Sequence, residues 1–293
     1  MLALWRRIRL LLEMIRFEHT IFAMPFAFIS VILASRDLPA GVPSGRSVFW
    51  VVMAMVGARS AAMAFNRLID ADMDKDNPRT ASRHIPAGTL SRAQVSLFLA
   101  FTLVLFLWSA WQLNPLCFYL SPIALLFILG YSYTKRFTSL CHLVLGFAIG
   151  LAPLGAWVAI QGRFDLLPIL LGMVVMLWIG GFDIIYALQD YEFDKQDSRL
   201  YSLPKRLGKS RALLLSRMMH VAMLGLLFAI GALFGLHLFY FIGLAIVTLL
   251  IVWEQSLVKP DDLSRVNLAF FTLNGWVSVS LFIFVLLDRL LMK

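Results

Sequence analysis

Apolar stretches long enough to cross about 30 Å of hydrocarbon recur along this chain, separated by short polar segments, and this pattern restricts the fold more than any other feature. A chain that is 60% hydrophobic and 15% charged, with mean hydropathy +0.82, lies outside the range of soluble domains. The expectation is an all-α integral membrane protein, a single membrane domain over residues 1–293. Hydropathy places nine spans: Thr20 to Ser35, Val48 to Ile69, Val95 to Gln112, Leu116 to Tyr133, Leu140 to Ile160, Leu166 to Leu188, Ala212 to Phe234, His237 to Trp253 and Val266 to Leu287. The first is short and holds Pro25, so it crosses only if kinked or extended by its flanks.

Residues 1–16 put Leu4, Ile8, Leu11, Leu12 and Ile15 on one helical face, with Arg6, Arg7, Arg9 and Glu13 mostly elsewhere, the pattern of an interfacial amphipathic helix. Glu13, Arg16, Glu18 and His19 interrupt the apolar run that a secretory signal would need. The net charge of +9 raises the possibility of nucleic acid, but the bases lie in inter-helix loops and form no strand-binding domain. They segregate instead by side. The N-terminus and the loops after spans two, four, six and eight carry nearly all of them, which predicts a cytoplasmic N-terminus and an opposite C-terminus for a chain expected in the inner (cytoplasmic) membrane. Cys117 and Cys141 have no metal-ligand spacing and read as packing residues.

Span two ends in Arg59, Asn66, Asp70 and Asp74, whose steps of seven, four and four form one polar stripe on a helix. Span six ends in Asp183, Tyr186, Asp190 and Asp194, whose steps of three, four and four would do the same. Singly, such acids can be solvated helix-end charges. Two sets on one side of the membrane, each beginning inside an apolar helix, point to cations. Magnesium takes a few carboxylates, retains waters and accepts phosphate oxygens, so a diphosphate would complete its shell.

Arg79, Arg83, Lys135 and Arg136 could cradle phosphate oxygens, as could Lys205 or Arg206, although each could equally anchor a cytoplasmic loop. Arg59 lies about two turns inside its span, where a phosphate or acidic partner is needed. Tyr131, Tyr133 and Tyr186 could stabilise an allylic cation or belong to an interfacial aromatic belt. Asn274 reads as helix-helix glue, and the adjacent pair Cys141-His142 lacks the further ligands of a metal site.

Asn66-Arg-Leu-Ile-Asp70-Ala-Asp-Met-Asp74, with Asn77-Pro-Arg79 and Arg83 following, is similar to the first signature of the UbiA superfamily of intramembrane prenyltransferases. Asp183-Ile-Ile-Tyr186-Ala-Leu-Gln-Asp190-Tyr-Glu-Phe-Asp194 is similar to its second. The resemblance covers essentially the whole chain and implies a nine-helix bundle with a cytoplasmic-side active site. It also implies that Asn66, Asp70, Asp74, Asp190 and Asp194 hold two magnesium ions on a diphosphate, the four aspartates being catalytic. Lys135 and Arg136 match a diphosphate-binding segment, and Arg16 resembles an arginine on the substrate side. Asp183 falls on a motif position whose role stays open between metal support and contact with the aromatic substrate. Many relatives carry a glycine where Ser198 stands and a serine one residue before Ser202, so this loop could close differently.

The N-terminal segment around Arg16 and Pro25 resembles the 4-hydroxybenzoate polyprenyltransferase-like branch, which includes members of the futalosine route to menaquinone. The implied activity is magnesium-dependent transfer of a polyprenyl group from polyprenyl diphosphate to an aromatic carboxylic acid, 4-hydroxybenzoate or alternatively 1,4-dihydroxy-6-naphthoate, in respiratory quinone synthesis. A transporter is the reading from a different class, but transport sites usually lie near the midplane and these acids gather at one end.

Overall fold

A computed structural model describes residues 2–15 and 24–292. Every regular element among them is helical: α1 (Leu2–Met14), α2 (Met24–Ala34), α3 (Gly45–Asp76), α4 (Arg92–Leu113), α5 (Pro115–Thr134), α6 (Cys141–Gln161), α7 (Leu166–Ala187), α8 (Tyr191–Gln196), α9 (Leu203–Leu207), α10 (Lys209–Leu233), α11 (Leu238–Leu257) and α12 (Asn274–Leu291). Among the described residues, eight helical segments are long and apolar enough to cross a membrane. They coincide with spans two to nine of the sequence reading. The first span stands apart, because α2 has 11 residues, about 16 Å at 1.5 Å per residue, and Thr20 to Ala23 lie outside the described residues.

The chain divides into two compact units, residues 1–20 with 46–133 and residues 21–45 with 134–293. In the first, α4 shows why the surrounding medium is lipid. Leu97, Phe101, Val104, Trp108 and Trp111 recur at helical spacing and are all half or more exposed, a stripe that water would penalise and acyl chains accept. Ser91 and Gln94 close a reciprocal capping box at the start of this helix. Gly57 of α3 lets the two helices touch, since a Cβ there would lie 2.9 Å from the Phe106 backbone nitrogen of α4. On α1, Leu10 and Leu11 pack beside Met14, Ile15, Ala64 and Val95, whereas Leu12, assigned to the same face by periodicity, is exposed.

In the second unit α6 packs along α7, α10 packs on α7, and α11 packs on α12. Small residues set the first contact: a Cβ on Gly150 would meet the Gly172 carbonyl oxygen at 2.6 Å, and one on Gly146 would clash with the Met176 carbonyl. Backbone approach of this kind replaces the hydrophobic drive that lipid cannot supply between helices. Trp178, Ile179 and Phe182 of α7 fill the centre. Short α2 is enclosed, with Phe26, Ile29 and Val31 buried, and Ser30 Oγ donates to the Pro153 carbonyl of α6 at 2.6 Å.

Two departures from regular α-helix occur in this unit. The sequence steps at Asp183, Tyr186, Asp190 and Asp194 imply one continuous helix, but α7 ends at Ala187 and a 3-10 turn, Leu188–Asp190, precedes α8. A 3-10 turn advances about 120° per residue, so Asp190 and Asp194 do not prolong the Asp183 stripe at constant angle. The last span opens with a π-helical turn, Leu268–Leu273, before α12.

Candidate functional site

α3 runs unbroken from Gly45 to Asp76, about 48 Å, longer than a hydrocarbon thickness of about 30 Å. This continuity places Arg59, Asn66, Asp70 and Asp74 on one helix face, as the spacing predicts. Asp70 is 1% exposed and Asp74 5%. Asn66 Nδ2 donates to Asp70 Oδ2 at 2.8 Å, holding the carboxylate against its own helix. The loop that follows folds back on the second acid: Arg83 Nη1 lies 2.6 Å from Asp74 Oδ1, and Thr80 Oγ1 donates to the Asp74 carbonyl at 3.0 Å. Asp74 Oδ2 is buried without a hydrogen-bond partner among the described residues. Arg79 is exposed in this loop, its backbone N–H donating to Asn77 Oδ1 at 2.9 Å. Tyr131, near the end of α5, lies in the field of Asp70, Arg59 and Arg67. Tyr133 stacks edge-on against Phe65, with centroids 5.8 Å apart.

The second acidic set has its own frame. Asp194, on α8, accepts from Ser202 Oγ at 3.0 Å and lies in the field of Asp190, Lys135 and Lys205. Ser202 also accepts from the Lys205 N–H at 3.3 Å and so caps α9, which is how the shifted serine closes the loop. Lys205 Nζ donates to the carbonyls of Asp197 at 2.8 Å and Leu200 at 2.7 Å, while Arg206 Nη1 donates to Ser139 Oγ at 3.3 Å. Both bases therefore fasten the loop. Arg199 holds the Asp197 carboxyl below the usual carboxylate range through side-chain and backbone hydrogen bonds. Lys135 and Arg136 are half-buried in the turn before α6, and the Lys135 carbonyl accepts from the Tyr201 N–H at 2.7 Å.

Tyr186 stands over Phe270 of the π turn with centroids 4.1 Å apart, and Phe182 meets the same Phe270 ring edge-on at 5.0 Å. Asp183, between these aromatic positions on α7, pairs with His142 Nδ1 at 2.7 Å. In sequence His142 stands out only as the neighbour of Cys141, and its pairing with Asp183 joins residues 41 positions apart. The available signal was a carboxylate inside an apolar span, which needs a partner from a neighbouring helix. Arg16 lies outside the described residues.

Within neither unit do three His, Cys, Asp or Glu side chains gather as a metal cluster among the described residues. Magnesium does not require such a cage, since water and phosphate complete its shell, and the unpartnered Asp74 Oδ2 fits a cation better than it fits a ligand-free interior. Each unit thus carries acidic side chains near the end of an apolar, span-length helix with basic residues beside them, Arg83 on Asp74 in the first and Lys135 and Lys205 near Asp194 in the second.

The UbiA prenyltransferase family model matches residues 23–276, and the chain belongs to this family. The 4-hydroxybenzoate octaprenyltransferase of Tolumonas auensis is 30% identical over 248 residues, 85% of this chain and 86% of the relative. That of Nitrosospira multiformis is 31% identical over 259 residues, 85% of each. Among solved structures, the apo form of a UbiA homolog from Aeropyrum pernix K1 superposes with a TM-score of 0.83, 32% identity and coverage of 93% of this chain and 98% of that one. A UbiA homolog from Archaeoglobus fulgidus bound to GPP and Mg2+ gives a TM-score of 0.71 at 18% identity, covering 96% and 99%, a likeness of fold.

Proposed function

We propose that this chain is a magnesium-dependent aromatic polyprenyltransferase that moves a polyprenyl group from polyprenyl diphosphate to a ring carbon of 4-hydroxybenzoate, in respiratory quinone synthesis. The observation that carries the metal reading is the buried, unpartnered Asp74 Oδ2 one helical turn beyond Asp70. The choice of 4-hydroxybenzoate over 1,4-dihydroxy-6-naphthoate rests on the relatives bearing that acceptor in their names.

Asn66, Asp70, Asp74, Asp190 and Asp194 would hold two magnesium ions. Bound magnesium would neutralise charge building on the leaving diphosphate. Arg59, Arg79, Arg83, Lys135 and Arg136 bind phosphate oxygens, with Arg83 exchanging its contact to Asp74 for one to the substrate. Tyr131 and Tyr186 turn aromatic faces to the allylic cation, Tyr186 being backed by Phe270. Arg16 serves the aromatic substrate, a role that rests on its resemblance to the family's substrate-side arginine. Residues 1–293 act as one prenyltransferase domain in the inner membrane, with the N-terminus and acidic loops cytoplasmic and the C-terminus opposite, a reading supported by the excess of Lys and Arg in those loops.

The test offers the purified protein in lipid a labelled polyprenyl diphosphate with either acceptor, in magnesium and in chelator. Magnesium-dependent prenylation of 4-hydroxybenzoate is the expected result. Prenylation of the dihydroxynaphthoate alone would overturn the acceptor assignment, and turnover undiminished by chelator would overturn the metal.

A further inference from the structure

His142 is 3% exposed near the start of α6, and both of its ring nitrogens are engaged. Nε2 accepts from the Leu203 backbone N–H at 3.4 Å. An accepting Nε2 puts the ring proton on Nδ1, which faces Asp183 Oδ2 at 2.7 Å. The imidazole is therefore a fixed donor to one oxygen of Asp183. Asp183 is less enclosed, with a side chain 22% exposed, and its Oδ1 has no hydrogen-bond partner among the described residues. Three residues along α7, on the same helix face, stands Tyr186 against Phe270. The α9 end of the arrangement is fixed as well, because Ser202, next to Leu203, holds Asp194.

We infer that Asp183 is the base that removes the proton of the attacked ring carbon, and that His142 is its positioning residue. The inference rests on the prenyltransferase reading above. In the step, a ring carbon of the acceptor forms a bond to the allylic carbon as the allylic C–O bond breaks and its electron pair leaves with diphosphate. The C–H bond at the attacked ring carbon then breaks, its pair restores aromaticity, and the proton passes to Asp183 Oδ1. His142 keeps its own proton throughout. By occupying Oδ2 it aims Oδ1 at the acceptor, and its contact with Leu203 keeps the imidazole from rotating away.

The experiment compares wild type, Asp183→Asn, His142→Leu and His142→Asn in lipid. Three quantities are read: magnesium-dependent binding of labelled polyprenyl diphosphate, kcat and KM for 4-hydroxybenzoate, and the isotope effect with ring-deuterated acceptor. Diphosphate binding is expected to be the same in all four. Asp183→Asn loses roughly 10²- to 10⁴-fold in kcat, the usual worth of a positioned base, and gains a ring-deuterium isotope effect that wild type lacks, because proton loss becomes rate-limiting. His142→Leu loses about 10- to 100-fold in kcat with little change in KM. His142→Asn, which keeps a donor near the Nδ1 position, recovers most of that loss. An Asp183→Asn enzyme with unchanged kcat or no isotope effect overturns the assignment of the base. Equal losses in His142→Leu and His142→Asn, or an effect confined to KM, overturn the positioning role. Failure of wild type to bind diphosphate overturns the prenyltransferase reading and the inference with it, so the two failures are distinct.

Discussion

Replacing Asn274 with leucine tests whether a buried polar bridge holds the second unit together. Asn274 is 0% exposed and makes three contacts: its Oδ1 accepts from Trp178 Nε1 at 2.6 Å, and its Nδ2 donates to Glu254 Oε1 at 3.2 Å and to the Ala269 carbonyl at 3.0 Å. It thereby joins α7, α11 and the π turn. Leucine has similar volume, so packing changes little, but all three bonds disappear. Glu254 suffers most, since its Oε2 already lacks a partner and Oε1 has only Asn274 among the described residues. Interhelical bonds in membranes average about 0.6 kcal/mol and reach about 1.7, and two of the three, to Trp178 and Glu254, cross between helices, so the predicted loss is about 1 to 3 kcal/mol. The assay is reversible unfolding by dodecyl sulfate in mixed micelles, followed by tryptophan fluorescence. A triple variant, Asn274→Leu with Trp178→Phe and Glu254→Leu, removes the stranded groups along with the bridge and is expected to recover part of the loss. A single-variant cost below about 0.5 kcal/mol would refute the reasoning, as would losses that simply add in the triple variant.

Ser202→Ala removes the hydroxyl that holds Asp194 and one cap of α9; diphosphate affinity should fall about tenfold, the worth of one hydrogen bond to a charged group, as read by equilibrium binding in nanodiscs. Arg83→Gln leaves the Asp74 carboxylate without its counter-charge; because Arg83 is part-exposed, the expected loss is about 1 to 2 kcal/mol, below that for a fully buried pair, and magnesium should restore part of it in a thermal-shift measurement. Gly150→Leu drives a side chain into the Gly172 carbonyl and should prevent a monodisperse protein on size-exclusion chromatography, whereas Gly155→Leu, at a position with no atom within 4 Å of an added Cβ, should not.

How far the chain could be read in advance depended on whether a feature is local. Asn66, Asp70 and Asp74 were legible because α3 continues without a break to Asp76, so sequence spacing converts directly into a shared face. The same arithmetic was less accurate for Asp190 and Asp194, because the 3-10 turn after Ala187 has no strong local signal and changes the angular step. Asn274 was legible as glue, since an amide inside a span must find partners, although Trp178 and Glu254 could not be named from sequence. The tie between His142 and Asp183 joins residues 41 positions apart and depends on α6 packing along α7 through Gly146 and Gly150, a contact that periodicity does not encode. Ser202 looked like a departure from the family pattern, yet its hydroxyl reaches Asp194. Displacement by one position changes how the loop closes without removing the group.

The central claim is that both acidic sets serve one magnesium-dependent diphosphate function. The most direct measurement is equilibrium binding of a non-reactive prenyl thiodiphosphate to wild type, Asp74→Asn and Asp194→Asn in lipid, with and without magnesium. The account predicts magnesium-dependent binding in wild type, weakened at least tenfold by either substitution, in proteins that keep wild-type unfolding transitions. Binding that is indifferent to magnesium, or lost with only one of the two substitutions, would contradict it.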